Sequence, residues 1–157
     1  MDASTGQITG TPNAAGTFTF KVQVCDFTLP QGTACDATAL FDSSAKKTLT
    51  LTIQKGNQTI TVTTPAPASA VYNAGFQVAA TASSGLPVAI TATGVCSGSG
   101  SGSATITMTS GTDTCTVHYN QTGDTSYNAA PELTSDTAAV KANQTITVAT
   151  PAPASAI

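Results

Sequence analysis

Four cysteines and one histidine are the residues of this 157-residue chain best suited to chemistry. The cysteines form two local pairs, Cys25 with Cys35 and Cys96 with Cys115. Because the C-x-x-C spacing of a zinc site is missing, both pairs are predicted to be disulfides. Four cysteines allow three pairings, and the local one is favoured because the two pairs fall in separate domains. Two disulfides indicate an oxidising environment outside the cytoplasm.

His118 is the only acid–base candidate apart from the carboxylates. It follows Val117, which takes an inward position in an alternating strand, so we expect the imidazole to face solvent. No serine or cysteine can be placed beside it together with an orienting carboxylate, as nucleophilic catalysis requires. The seven Asp and one Glu are scattered, whereas a calcium ion takes about six to eight oxygen ligands. We therefore expect no catalysis, no cofactor and no metal.

The composition predicts an all-β fold. Only 8% of residues are charged, and threonine, valine and isoleucine recur in alternating runs, which is typical of strands. The chain has lysines but no arginine, at a net charge of −3, so no basic patch is available to bind nucleic acid. No apolar run approaches the roughly 20 residues needed to span a bilayer, which argues against membrane insertion.

A stretch of fifteen residues occurs twice and organises the chain. Residues 57–71 read NQTITVTTPAPASAV, and residues 143–157 read NQTITVATPAPASAI. The copies differ at two positions, and their offset of 86 residues suits one β-sandwich domain better than a short solenoid repeat. The predicted organisation is a first domain at 1–54, a hinge at 55–56, a complete repeat at 57–142 and the first strand of a further repeat at 143–157.

Alternating patterns predict about seven strands within residues 57–142. Pro65 and Pro67 are expected to interrupt the first of them. The glycine- and serine-rich tract 94–103 is predicted as a loop and 110–113 as a hairpin turn. In the first domain, strict alternation over 17–24 and 47–53 predicts two strands that each have one buried face.

A dense motif opens the chain, where residues 1–26 read MDASTGQITGTPNAAGTFTFKVQVCD. Through this motif, residues 1–54 resemble the C-terminal part of Ig-like domains of bacterial surface and secreted proteins, which are related to the cadherin fold. The resemblance implies that the opening strands of this domain are missing, so that an apolar face and sheet edges are open. The residues that carry it are Asp2, Thr5, Gly6, Ile8, Thr9, Gly10, Thr11, Pro12, Ala15, Gly16, Phe18, Phe20, Val22, Val24 and Asp26.

The complete repeat contains 68–72 (ASAVY), 82–88 (ASSGLPV), the pair Cys96 and Cys115, 121–124 (QTGD) and 127–130 (YNAA). Through these residues, 57–142 resemble the Ig-like repeats of giant bacterial surface proteins. The GSGSGS insertion at 98–103 departs from that pattern and lengthens the segment enclosed by the disulfide. The resemblance implies immunoglobulin-like β-sandwich domains in tandem, located outside the cell or on its surface.

The function that this resemblance implies is structural: a stalk, an adhesin shaft or a filament subunit without catalysis. Its partners would be neighbouring Ig-like domains of the same chain or head-to-tail subunits of a fibre. One alternative is an adhesin module that binds a carbohydrate or a host protein through loop 26–46 or 97–103. Another is an accessory domain of a secreted hydrolase.

Overall fold

The computed structural model describes residues 7–24 and 45–150. Within these ranges the chain is all-β, with eleven strands, and holds no helix that is long and apolar enough to cross a membrane. The strands are β1 (Gly16–Val24), β2 (Ala45–Ile53), β3 (Ile60–Thr64), β4 (Ser69–Val71), β5 (Gly75–Ala82), β6 (Ala89–Gly94), β7 (Cys96–Ser97), β8 (Ser99–Ser101), β9 (Ser103–Met108), β10 (Thr114–Asn120) and β11 (Leu133–Val140).

The chain divides into two compact units that meet in sequence between Gly56 and Asn57. The first unit contains β1 and β2, together with residues 124–128, and the second contains the other nine strands. β1 and β2 pair in antiparallel fashion from Gly16 opposite Ile53 onward. Both strands predicted in this part of the chain are therefore present.

The apolar face of the β1–β2 pair is substantially exposed. Phe18 lies opposite Leu51 and Phe20 opposite Leu49. The exposed fractions are 48% for Phe18, 45% for Leu51 and 36% for Leu49. The alternation predicted that this face is buried, and for these side chains that prediction is wrong. The reason is that the described residues of this unit form only two strands, with no second sheet to cover them.

The second unit is one sheet of nine strands. The repeated segment 57–71 contains two of these strands, β3 and β4, which lie at opposite ends of the strand order. The order is β3-β5-β9-β8-β6-β10-β11-β4, and β7 also pairs with β9. β3 is antiparallel to β5, whereas β4 is parallel to β11. Only residues 65–68 separate β3 from β4, and they contain two prolines, which lack the N–H needed to continue a ladder. The segment therefore leaves one edge of the sheet and joins the other.

Alternate side chains of the second unit form a single apolar core. The alternation is clearest on β5, β9 and β10, where inward residues are almost fully buried and their neighbours are not. Most of these side chains are small or β-branched, so burial per residue is modest. The core residues are Ile60, Val78, Ala80, Ala82, Val88, Ile90, Cys96, Ala104, Ile106, Met108, Cys115, Val117 and Tyr119.

The glycine- and serine-rich tract is not the loop that the sequence predicts. It contains β7 and β8, and β8 bridges β6 and β9. A Cβ at Gly98 would collide with the carbonyl oxygen of Thr105, and one at Gly100 with that of Ser103. Glycine is thus what allows these backbones to approach closely enough to pair.

Residues 110–113 do not form a hairpin turn. β9 pairs with β5, β7 and β8, and β10 pairs with β6 and β11. β9 has partners on both sides and leaves no edge for β10. The connection therefore crosses between strands that are not neighbours, which is a Greek-key feature.

Candidate functional site

The described cysteines are joined in a disulfide inside the second unit. The Sγ atoms of Cys96 and Cys115 are 1.95 Å apart and the Cα atoms are 5.3 Å apart. Cys115 is fully buried and Cys96 nearly so. The bond links β7, in the glycine- and serine-rich tract, to β10, in the middle of the sheet order. The other predicted pair, Cys25 and Cys35, lies outside the described residues.

A second feature is the fastening of the repeated segment to the last strand. The Thr137 hydroxyl donates a 2.8 Å hydrogen bond to the Pro67 carbonyl, and Thr137 is fully buried. The Ala138 N–H donates to the Ala68 carbonyl at 3.0 Å. The crossing between β3 and β4 is therefore held by side-chain and backbone bonds from β11.

Two buried glutamines anchor the ends of loops. Gln58 is 3% exposed and accepts a hydrogen bond from the Ser84 hydroxyl, in the turn after β5. Gln121 is 8% exposed and donates to the Pro87 carbonyl at 2.7 Å. Buried amides cost free energy unless they are bonded, so each glutamine fixes the segment that satisfies it.

The second copy of the repeated segment has a different environment. Ile60 is 8% exposed on β3, whereas its counterpart Ile146 is 93% exposed. The described residues of the second copy, 143–150, contain no strand and are exposed throughout. Nearly identical sequences thus adopt a strand only where β5 supplies a partner, because a strand satisfies its backbone groups through its neighbours.

His118 has neighbours that the sequence did not indicate. Its Nδ1 lies 2.6 Å from Glu132 Oε1, and its Nε2 lies 2.8 Å from Thr93 Oγ1. An ionised carboxylate can only accept, so Nδ1 donates to Glu132, and in the neutral ring Nε2 accepts from the Thr93 hydroxyl. We expected no serine or cysteine beside this histidine together with an orienting carboxylate; the carboxylate is present, and the hydroxyl beside the ring belongs to a threonine.

Strand register is the reason that these two partners could not be predicted from local spacing. Thr93, on β6, is 25 residues from His118, and Glu132, just before β11, is 14 residues from it. β6 and β11 flank β10 on its two sides. No local spacing reports such a contact. The only available signal was that His118 and the threonines occupy outward positions of neighbouring strands.

The chain of hydroxyl, imidazole and carboxylate has the order of a catalytic relay, but it lies on an open strand surface. The side chain of His118 is 27% exposed and that of Glu132 is 45% exposed. Beside it, Thr116 donates a 2.7 Å hydrogen bond to Asp136. Such cross-strand polar pairs are ordinary means of stabilising the solvent face of a sheet.

The described residues do not form a metal site. Within residues 7–24 and 45–150 no three His, Cys, Asp or Glu side chains are grouped as a metal site requires. The fold and its bonds therefore define an all-β, disulfide-bonded unit. Comparison with protein-family models, curated proteins and solved structures gave no match.

Proposed function

We propose that this chain is a structural module of an extracellular array of immunoglobulin-like domains, and that its second unit resists tension along the chain. The observation that carries the proposal is the parallel pairing of β4 with β11. β4 belongs to the segment through which the chain enters the second unit, and β11 is the last strand among the described residues of that unit.

Parallel pairing determines how tension acts. The N-terminal end of β4 and the C-terminal end of β11 lie at opposite ends of the pair, so pulling on the chain slides the strands past each other. All their hydrogen bonds are strained together. In an antiparallel pair of such strands the pulled ends would be adjacent, and the bonds would break one after another.

The contacts around this pair reinforce it. The Tyr72 N–H donates to the Val140 carbonyl at 2.8 Å, and the Ala138 N–H donates to the Ala68 carbonyl at 3.0 Å. Between these two bonds the strands align Ser69 with Ala138 through to Val71 with Val140. The bond from Thr137 to Pro67 adds a further contact before the first aligned pair.

The strand order supports the immunoglobulin-like assignment of this unit. The entering segment is divided between two sheet edges, the β9–β10 connection joins strands that are not neighbours, and a buried disulfide reaches β10. These are features of sandwiches with Greek-key connections. The disulfide also supports a location outside the cytoplasm, where thiols are not kept reduced.

We include in this proposal that the module is not an enzyme. The relay of Thr93, His118 and Glu132 lies on a solvated strand face, whereas acyl-transfer sites stabilise charge in a pocket that excludes water. The side chains instead connect three neighbouring strands, which is a structural role.

Single-molecule force spectroscopy on the full chain, held at its two ends, tests the proposal. The second unit is identified by the extra length released between Cys96 and Cys115 when reductant is added. We expect a high unfolding force for this unit, and a lower one when the same chain is held at residues 73 and 141. Both of these residues lie just after the C-terminal ends of the paired strands, so the pair is unzipped. Equal forces in the two geometries would contradict the proposal.

A further inference from the structure

Residues 143–150, named here the donor segment, repeat the sequence of residues 57–64 with one change, Ala149 in place of Thr63. In the second unit, residues 60–64 lie along β5, with Ile60 opposite Ala82 and Val62 opposite Ala80. We call the position that residues 57–64 occupy, along β5 and against the turn that follows it, the edge seat. Its occupant and the donor segment therefore have nearly the same side chains in the same order.

The one difference between the two sequences does not affect the edge seat. Thr63 falls where the register with β5 shifts, between Val62 and Thr64, and its side chain is exposed. The buried positions are Gln58 and Ile60, at 3% and 8% exposure, and Val62 is half-buried. The donor segment has identical residues at all three positions. The edge seat consequently has no contact by which it could distinguish the two segments.

The side chains that the edge seat buries are exposed in the donor segment. Ile146 is 93% exposed and Val148 is 68% exposed, and Gln144 is also exposed. Burying a single isoleucine contributes about 1.5–3 kcal/mol, so occupation of an edge seat is favourable for the donor segment. It is also competent for main-chain pairing, since it carries no proline.

The chain's own edge seat is out of reach of its donor segment. Val140 is aligned with Val71, at the far end of the entering segment, eleven residues after Ile60. Ile146 lies six residues after Val140, and six residues span at most about 22 Å. Six residues cannot retrace the eleven-residue path from Val71 back to Ile60, of which 60–64 and 69–71 are extended strand. An edge seat for the donor segment must belong to another molecule.

We propose that the donor segment of one chain occupies the edge seat of a second copy of this chain whenever residues 57–64 of that copy are displaced. The recognition is addition of a strand to a sheet edge, with main-chain pairing to β5 and insertion of Ile146 at the place of Ile60. Donor and acceptor surfaces differ, so the contact is heterologous and continues from head to tail.

Residues 57–64 must be displaced first, because they are part of the same molecule as their edge seat and compete at a higher effective concentration than a donor segment from another molecule. Residues 57–64 are tethered to their edge seat, which corresponds to an effective concentration on the order of millimolar. A donor segment from a second molecule with equal intrinsic affinity competes poorly at micromolar protein. We therefore expect the unmodified chain to stay unassociated through this contact and to associate once its own strand is released.

The test releases the native strand with Ile60→Asp in the full chain, since a buried carboxylate without a partner expels the segment. The expected result is concentration-dependent head-to-tail association in analytical ultracentrifugation, with recovery of a cooperative thermal transition. Ile146→Asp alone is the matched control and should behave as the unmodified chain does. The double variant Ile60→Asp/Ile146→Asp should not associate.

A synthetic peptide tests the same contact even if the Ile60→Asp variant does not fold by itself. A peptide of residues 143–150 is added to the double variant, and binding is measured by fluorescence anisotropy. We expect one peptide per chain and restoration of the transition, with affinity reduced at least about tenfold when the peptide carries aspartate at the position of Ile146. The proposal is overturned if Ile60→Asp associates equally with and without Ile146, or if neither high concentration nor the peptide restores the fold.

Discussion

The Thr137 hydroxyl on β11 and the Pro67 carbonyl, in the crossing between β3 and β4, are joined by a 2.8 Å hydrogen bond. Thr137 is fully buried, so its hydroxyl has no water to replace that partner. The bond connects the last strand of the second unit to the one stretch of the entering segment that prolines exclude from the ladder.

Replacing Thr137 by valine keeps its shape and removes this bond. We expect Thr137→Val to lower the free energy of unfolding by about 1–2 kcal/mol, because the Pro67 carbonyl loses its buried donor. Urea denaturation followed by circular dichroism measures the change. Thr134→Val, on the exposed face of the same strand, is the control and should change stability by less than about 0.5 kcal/mol. Equal changes in the free energy of unfolding for Thr137→Val and Thr134→Val would show that the bond from Thr137 to Pro67 does not stabilise the fold.

Ile60 and Ile146 have the same neighbours in sequence, but the first side chain is buried and the second is exposed. Ile60→Ala removes buried methylenes from the core and should cost roughly 2–4 kcal/mol. Ile146→Ala changes an exposed side chain and should leave the unfolding midpoint unchanged within error. Thermal melts of both variants, at equal protein concentration, check the prediction. A large cost at Ile146 would show that the second copy is packed against something in solution.

The close approach of β8 to β9 makes Gly100 intolerant of a side chain. A Cβ there would overlap the Ser103 carbonyl oxygen, so Gly100→Ala should cost roughly 1–3 kcal/mol. Gly75, also in a strand, has its nearest contact at 3.6 Å, the Thr105 methyl. Gly75→Ala should therefore be nearly neutral in the same denaturation experiment. If both variants unfold at the same midpoint, the tract 98–103 is not packed as described.

The disulfide should contribute a large share of the stability of the second unit. Cross-linking a segment of about 20 residues stabilises by roughly 3 kcal/mol, against a total of some 5–15 kcal/mol for a domain. The double substitution of Cys96 and Cys115 by alanine should lower the unfolding free energy by about that amount. Intact mass after alkylation should show four modified thiols only after reduction, which also tests Cys25 and Cys35. Alkylation of any cysteine in the unreduced, folded protein would contradict the oxidised state.

The contacts of His118 with Thr93 and Glu132 should not catalyse ester hydrolysis. We expect the full chain, Thr93→Val and His118→Ala to hydrolyse p-nitrophenyl acetate at the same background rate. Their stabilities should differ by less than about 1 kcal/mol, because polar contacts between partly exposed side chains at a solvated surface contribute little. A rate that falls specifically in Thr93→Val, with the fold intact, would indicate a nucleophile and contradict a purely structural role.

Sequence periodicity was sufficient for elements with one buried face. Ile106 and Met108 on β9, and Cys115 and Val117 on β10, take the inward positions that their alternation predicts. The last described strand, β11, runs from Leu133 to Val140 and buries Thr137 at an inward position. In each case, burial repeats every second residue, which is a property that the sequence displays directly.

Features that depend on a distant partner could not be predicted in this way. The pairing of β8 with β6 and β9 depends on the absence of a Cβ at Gly98 and Gly100, and glycine-rich sequence is equally typical of loops. The partners of His118 depend on the register of three strands. The parallel pairing of β4 with β11 requires the segment to change sheet edges, and the prolines indicate only where a ladder is interrupted.

The order of synthesis has a consequence for the two copies of the repeated segment. Ala82, which pairs with Ile60, is added to the growing chain 22 residues after it, whereas Ile146 follows Ala82 by 64 residues. At about 5–20 residues per second, Ile146 is made some 3–13 s after β5 is complete. Pairs of neighbouring strands form in about 1–10 μs. The ribosome therefore delivers β5 to its own β3 long before the second copy exists, so the place along β5 is already filled when a second segment of matching sequence leaves the ribosome.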